Sequence, residues 1–387
     1  MDNTVCMMME LIACEVCGKT PDRSQLSFSE DALEKLYRLA KAHDLVHLVG
    51  DALIHNDLIP DGEVRSKFDK QLLMAVYRYE KINYELTRLR SILNEAKIPF
   101  LPLKGSVLRQ YYPEPWMRTS CDIDILVHKD EVDSVARMLV KKYDYREADR
   151  GSHDIDLFSA GDIHLELHFS LIEEKRVGNI ESVLRAVWEN ATPVDGTSEY
   201  ILNDEMFYYY HIAHMAKHFM NGGCGIRPFL DIWVLNHRIA FDKEKRGRLL
   251  AEGGLLTFAT AVEALSEVWF GNGAHTDVTR HMQEYLLRGG IYGTTENRVS
   301  VQQARKGGKI RYVLSRIWLP YVVLKAYYPS LEGKRFLLPI YEARRWCRML
   351  FGGRVRRSMN ELKLNFATTE DEQEKARALL TELEIKH

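Results

Sequence analysis

The sequence predicts an α+β fold, with a strand-bearing centre between an N-terminal helical segment and a C-terminal helical domain. Three observations carry this. Phe68, Leu72, Val76, Tyr79, Ile82, Leu86, Leu89 and Leu93 recur every three or four residues and trace one stripe of a long helix. Asp122-Ile123-Asp124-Ile125-Leu126-Val127 and Ile163-His164-Leu165-Glu166-Leu167-His168-Phe169 alternate apolar and polar residues, as half-buried strands do. Beyond Asp204 the pattern is helical almost throughout. A chain of 387 residues can form two or three domains, and the expected division is 1–97, 98–202 and 203–387.

Taken in order, Ser29 to His55 and Val64 to Ala96 read as helices, the second bracing the sheet. Ile98 to Leu103 reads as a strand that Pro99 and Pro102 confine to an edge. Asp122 to Val127 is the next strand, and Asp130 to Lys142 a helix packing through Val132, Val135, Met138 and Leu139. Tyr143 to Glu147, His153 to Phe158 and Ile163 to Leu171 complete the sheet, with Ser159-Ala160-Gly161-Asp162 as a hairpin turn. Asn179 to Asn190 is a short helix and Glu199 to Leu202 a strand. Asp204 is the expected cap of a helix that stops at Asn221-Gly222-Gly223. Helices are expected over Arg227 to Ile239, Lys243 to Ala251, Leu255 to Phe270 and Asp277 to Leu287. Arg288 to Gly308, polar and glycine-rich, reads as a flexible loop that orders over a bound substrate. Ile310 to Ala326, Pro339 to Met349 and Glu370 to Leu383 are helical in pattern.

The chemistry sits in the centre. Side chains alternate across a strand, so Asp122 and Asp124 share one face while Ile123 and Ile125 face a core. Glu166 lies on a second such strand, on one face with His164 and His168. Set side by side, the two strands would gather three carboxylates. Magnesium keeps several waters and takes one or two protein carboxylates plus substrate phosphates, which suits an Asp-x-Asp pair. In a two-ion arrangement both ends of an in-line phosphoryl displacement are stabilised. Gly105 and Ser106, at the start of a helix near Val107 to Tyr111, let the backbone approach a triphosphate, with charge from Lys104, Arg109 or Arg118. His168, two residues beyond Glu166, would orient a metal ligand or serve as general base. Asp154-Ile155-Asp156 has the same alternation, but no Gly-Ser turn precedes it, so both are expected to be polar strand-face residues.

Leu103-Lys104-Gly105-Ser106, Arg118, Asp122-Ile123-Asp124 and Leu165-Glu166-Leu167-His168 resemble the DNA polymerase β-type nucleotidyltransferase superfamily. More closely they resemble its uncharacterised bacterial branch, where Lys-Gly replaces an apolar-Gly start and the third carboxylate stands in a Glu-Leu-His context. The resemblance implies a small mixed sheet flanked by helices, with Asp122, Asp124 and Glu166 as magnesium ligands and Gly105 and Ser106 at the triphosphate. It covers about residues 98 to 170, and is looser in His211 to Asp231, Tyr327-Tyr328-Pro329 and Leu337-Leu338-Pro339. The 17-residue step from Gly105 to Asp122 is longer than in minimal members. The reaction implied is transfer of a nucleoside monophosphate from a triphosphate, ATP first among them, to a hydroxyl or phosphate oxygen. The rivals are a nucleotide-binding regulatory module with little catalysis and a phosphotransferase using the same metal site.

Composition narrows the acceptor. A net charge of -2 and a pI near 6.7 argue against a basic surface for long nucleic acid and favour a small molecule or a protein. The basic clusters Arg305-Lys306-Lys309-Arg311 and Arg354-Arg356-Arg357 are offset by acidic runs such as Glu370-Asp371-Glu372. Six scattered cysteines point to a reducing compartment, and Cys14-Glu15-Val16-Cys17 reads as two ordinary thiols. The first twenty residues lack a basic n-region, and Arg311, Arg316 and Lys325 interrupt the longest apolar run, so a cytoplasmic protein is expected. His211, His214 and His218 share a helix face and read as a partly buried polar stripe rather than a zinc site. Asp231 is expected on a helix surface.

Overall fold

The computed structural model describes residues 3–21, 29–171, 179–287, 299, 303, 308–321, 324, 328–351 and 369–385. The chain divides into two compact units, Met1–Met215 with Ile226–Arg280, and Ala216–Gly225 with His281–His387.

The first unit opens with α1 (Asn3–Cys17), α2 (Glu30–Ala42), α3 (Val46–His55) and the long α4 (Glu63–Glu95). The expected single helical stretch from Ser29 to His55 is split at Asp44, whose φ of 54° ends one helix before the next begins. Ser29 caps α2, its hydroxyl accepting from the Ala32 amide at 3.3 Å. Cys14 and Cys17 lie on α1, and all six cysteines are free thiols.

Five strands follow among short helices: β1 (Phe100–Pro102), α5 (Gly105–Leu108), β2 (Asp122–Val127), α6 (Val132–Lys142), β3 (Arg146–Arg150), β4 (Asp154–Phe158) and β5 (His164–His168). Their spatial order is β1-β2-β5-β4-β3, with β2 and β5 parallel and the other pairs antiparallel. The sheet is mixed, and β1 and β3 are its edges. One face is apolar: Ile123, Ile125, Val127, Ile155, Leu157, Leu165 and Leu167 pack with Leu86, Leu89 and Leu93 of α4 and Val135 and Leu139 of α6. The α4 stripe therefore does brace the sheet, while Leu72, Val76 and Tyr79, nearer its start, are only half-buried.

After α7 (Ile180–Arg185), β6 (Ala191–Pro193) and β7 (Tyr200–Leu202) form a separate two-stranded sheet. The helix α8 (Asp204–Met220) is capped one residue earlier than expected: the Asn203 carboxamide accepts from the Met206 amide at 2.9 Å, and Asp204 sits in the first turn. It ends where Gly222 and Gly223 take φ of 121° and 133°. The helices α9 (Arg227–Arg238), α10 (Lys243–Glu252), α11 (Leu256–Phe270) and α12 (Asp277–Leu287) complete the series.

In the second unit, helices Lys309–Ile317, Leu338–Phe351 and Glu370–Glu382 are described. Glu342, 2% exposed, accepts from the Leu319 amide and from Arg345 Nε. Most of 288–308, the expected loop, and the cluster at 354–357 lie outside the described residues. Among the described residues, no helix is long and apolar enough to cross a membrane.

Candidate active site

The face of the five-stranded sheet opposite the core collects charge. In the parallel register of β2 and β5, Asp122 pairs with His164 and Asp124 with Glu166. Paired residues on neighbouring strands point to the same side, so these four and His168 share one face. The antiparallel register of β4 adds two more, with Asp154 opposite His168 and Asp156 opposite Glu166. Asp154 and Asp156 are thus strand-face residues, but of the same face as the carboxylate set. Metal-ligating atoms of Asp124, Glu166 and His168 lie within 4.8 Å of one another, as do those of Asp122, His164 and Glu166, and those of His153, Asp154 and His168. The Asp and Glu oxygens are hard donors of the kind a divalent alkaline-earth ion takes, so the residues fit such an ion.

Two cations stand among the carboxylates. Lys104 Nζ is 2.7 Å from Asp124 Oδ1 and 3.5 Å from Glu166 Oε2. His168 Nε2 donates to the same Asp124 oxygen at 3.0 Å and lies 3.3 Å from Glu166 Oε2. Burial works against the charge of Asp124, yet Lys104 and His168 hold its carboxyl well below the usual range. Burial also opposes the imidazolium of His168, but bonds to Asp124 and Glu166 lift it to about 9. At Asp122 the balance goes the other way: burial, then the charges of Asp124 and Glu166, push it up to about 6 against the opposing pull of Lys104 and His164. Lys104, opposed by burial, is held well above the ordinary lysine value by Tyr210 of α8 and by the Asp124 and Glu166 carboxylates.

The Gly-Ser turn is locked to this strand. The Leu103 amide donates to the Asp124 carbonyl at 3.0 Å, so turn and carboxylate belong to one ladder. A Cβ on Gly105 would stand 3.0 Å from Ser120 Cβ, which leaves little room for any other residue there. Arg109 straps the turn, donating from Nε to the Gly105 carbonyl at 2.8 Å and from Nη2 to Ser120 Oγ at 2.8 Å. Ser106 Oγ, Arg109 Nη1 and His168 Nδ1 are buried without a hydrogen-bond partner. Such orphans are costly in a finished interior and ordinary beside a ligand site.

Arg118 is placed differently. Its guanidinium grips Asp231 of α9, Nε to Oδ1 at 2.6 Å and Nη2 to Oδ2 at 2.9 Å, and Nη1 donates to the Thr119 carbonyl. Tyr112 also donates to Asp231 Oδ1, at 2.7 Å. Asp231 is 0% exposed, which corrects the expectation of a helix-surface carboxylate: Arg118 holds it in the interior. Arg227 makes a second strut, to Asp44 at 2.6 Å. His211 is buried, its Nε2 3.6 Å from Asp231 Oδ2, while His214 and His218 are half-buried.

Sequence reasoning did not single out Tyr210, or His164 with Asp156, whose side chains meet at 3.0 Å. Strand alternation places His164, but only the register shows that Asp156 comes beside it. Tyr210 lies amid helical apolar residues and carries no local signal.

A mixed sheet with a face of clustered carboxylates beside a Gly-Ser turn describes a protein able to gather a divalent cation. The chain matches the profile of an uncharacterised nucleotidyltransferase family over residues 29–271, and it belongs to that family. Membership supports a transferase activity and implies a nucleoside triphosphate substrate. The matched span runs from α2 to α11, well beyond the motif-bearing strands. No curated protein and no solved structure matches the chain.

Proposed function

We propose that the chain is a magnesium-dependent nucleotidyltransferase of the DNA polymerase β type. Residues 98–202 carry the chemistry in this reading. It moves a nucleoside monophosphate from ATP, or another triphosphate, to a hydroxyl or phosphate oxygen of a small molecule or protein. The observation that carries the reading is the register of β2 on β5, which sets Asp122, Asp124 and Glu166 on one face with the Gly105-Ser106 turn bonded to the same strand.

Asp122, Asp124 and Glu166 would hold the magnesium. When bound, the ion neutralises charge on the phosphoryl oxygens during an in-line displacement. The chain's own residues do the rest. Ser106 offers its unpartnered hydroxyl to the triphosphate, and Arg109 keeps the Gly105 carbonyl turned away from it. His168 fixes the orientation of Asp124 and Glu166 through the bonds described above. Glu166, with a side chain 23% exposed against 2% for Asp124, is the carboxylate placed to receive the acceptor's proton. The acceptor oxygen bonds to the α-phosphorus, the bond to the bridging oxygen breaks, and pyrophosphate leaves.

ATP labelled at the α- or the γ-phosphate tests this. Release of pyrophosphate with the α-label retained on the acceptor is expected; ADP release with γ-label transfer would instead establish a phosphotransferase.

A further inference from the structure

We infer that Lys104 is a built-in cation of the carboxylate cluster, supplying the positive charge a second divalent ion would otherwise bring, so that the site takes one divalent ion. The inference rests on the metal reading above, and narrows the expected pair of ions to one.

Two observations support it. Lys104 bridges Asp124 and Glu166, at 2.7 Å and 3.5 Å, and the Asp124 oxygen it meets already accepts from His168 at 3.0 Å. A second divalent ion bound to that oxygen would sit against the Lys104 ammonium and be repelled by it. Asp122, whose ligand atoms lie within 4.8 Å of those of Glu166 and His164, is the end of the cluster where the one ion would bind.

The backbone is the second observation. Lys104 has φ 43° and ψ -122°, and the Ser106 amide donates to the Leu103 carbonyl at 3.1 Å. That is the first central position of a type II′ turn, where glycine is strongly preferred. A residue with a side chain is strained there, and such strain persists where the surroundings over-determine it. Nothing in the turn itself asks for lysine; the side chain is held by the carboxylates.

The competing assignment is that Lys104 grips the triphosphate and leaves the metal positions alone.

Manganese binding to the full chain without nucleotide separates these, read from the electron paramagnetic resonance signal of free Mn²⁺. Lys104→Gly suits the turn and removes the cation; Lys104→Met removes the charge but keeps the chain length. Wild type should bind one Mn²⁺. Both variants should bind it at least about tenfold more tightly, or take a second ion, and should gain more melting temperature from Mn²⁺ than wild type does. Two ions on wild type, or affinity equal to or below wild type in the variants, would overturn the inference. If neither wild type nor variants bind Mn²⁺, the metal reading beneath it falls as well.

Discussion

Two clusters of buried charge in the first unit are both built around aspartates and reach opposite states. Around Asp231, each carboxylate oxygen is answered: Arg118 and Tyr112 on Oδ1, Arg118 again on Oδ2. On the sheet face the donors are unevenly dealt. Asp124 Oδ1 receives both Lys104 and His168, Asp122 is left with its carboxyl near pKa 6, and Ser106 Oγ and His168 Nδ1 have no partner. Buried polar groups that satisfy one another fix shape; groups left in deficit define what a ligand must supply. The first cluster is a frame and the second a socket.

The widest gap between them should come from removing the socket's acids. Asp122→Ala with Asp124→Ala should lower magnesium-dependent turnover by ~10³-fold or more while the melting curve stays cooperative; retained turnover would place the chemistry elsewhere. The frame should respond in the reverse sense. Arg118→Ala leaves Asp231 charged and unpaired in the interior, and should cost about 3–5 kcal/mol of stability in chemical denaturation. A loss below ~1 kcal/mol would mean that the pair is not part of a frame.

A smaller effect, away from the socket, is read by pH. His43 and His47, the latter bonded to the Met117 carbonyl at 2.9 Å, are buried and held down at about 4 against an ordinary 6.5. The unfolded chain takes up these protons near 6.5 and the folded chain only near 4. Stability is therefore complete above about 6.5 and falls as pH drops toward 4, by up to about 1.4 kcal/mol per pH unit for each histidine. Denaturation midpoints across that window should show the slope, and His47→Gln should reduce it; an unchanged slope would mean that His47 does not titrate between the folded and unfolded chain in that window. Least of all, Ser106→Ala should raise the KM for the triphosphate about tenfold, roughly 1–1.5 kcal/mol, with little change in melting temperature.

The socket was more legible in the sequence than the frame, for a physical reason. Strand alternation is local, so Asp122, Asp124 and Glu166 could be set on faces from their own neighbours, as could the apolar stripe of α4. Asp231 could not, because what makes it a buried residue is Arg118, 113 positions earlier. The polar-face reading of Asp154 and Asp156 was sound, but which face depends on register, which alternation alone does not fix. Ala191–Pro193 escaped notice as a strand because three residues, one a proline, carry no period and pair only with β7. The cap of α8 slipped by one because Asn203 and Asp204 are both good cap residues, and only the Met206 amide decides between them.

The bond from the Leu103 amide to the Asp124 carbonyl bears on how relatives are recognised. It pins both ends of the 17-residue excursion from Gly105 to Asp122, within which Arg109 and Ser120 hold the turn and Tyr112 and Arg118 hold Asp231. Insertions that keep those four residues on their partners would leave the working geometry as it was. A search that demands a fixed interval between the glycine and the first aspartate would pass over chains that are the same machine with a longer cord.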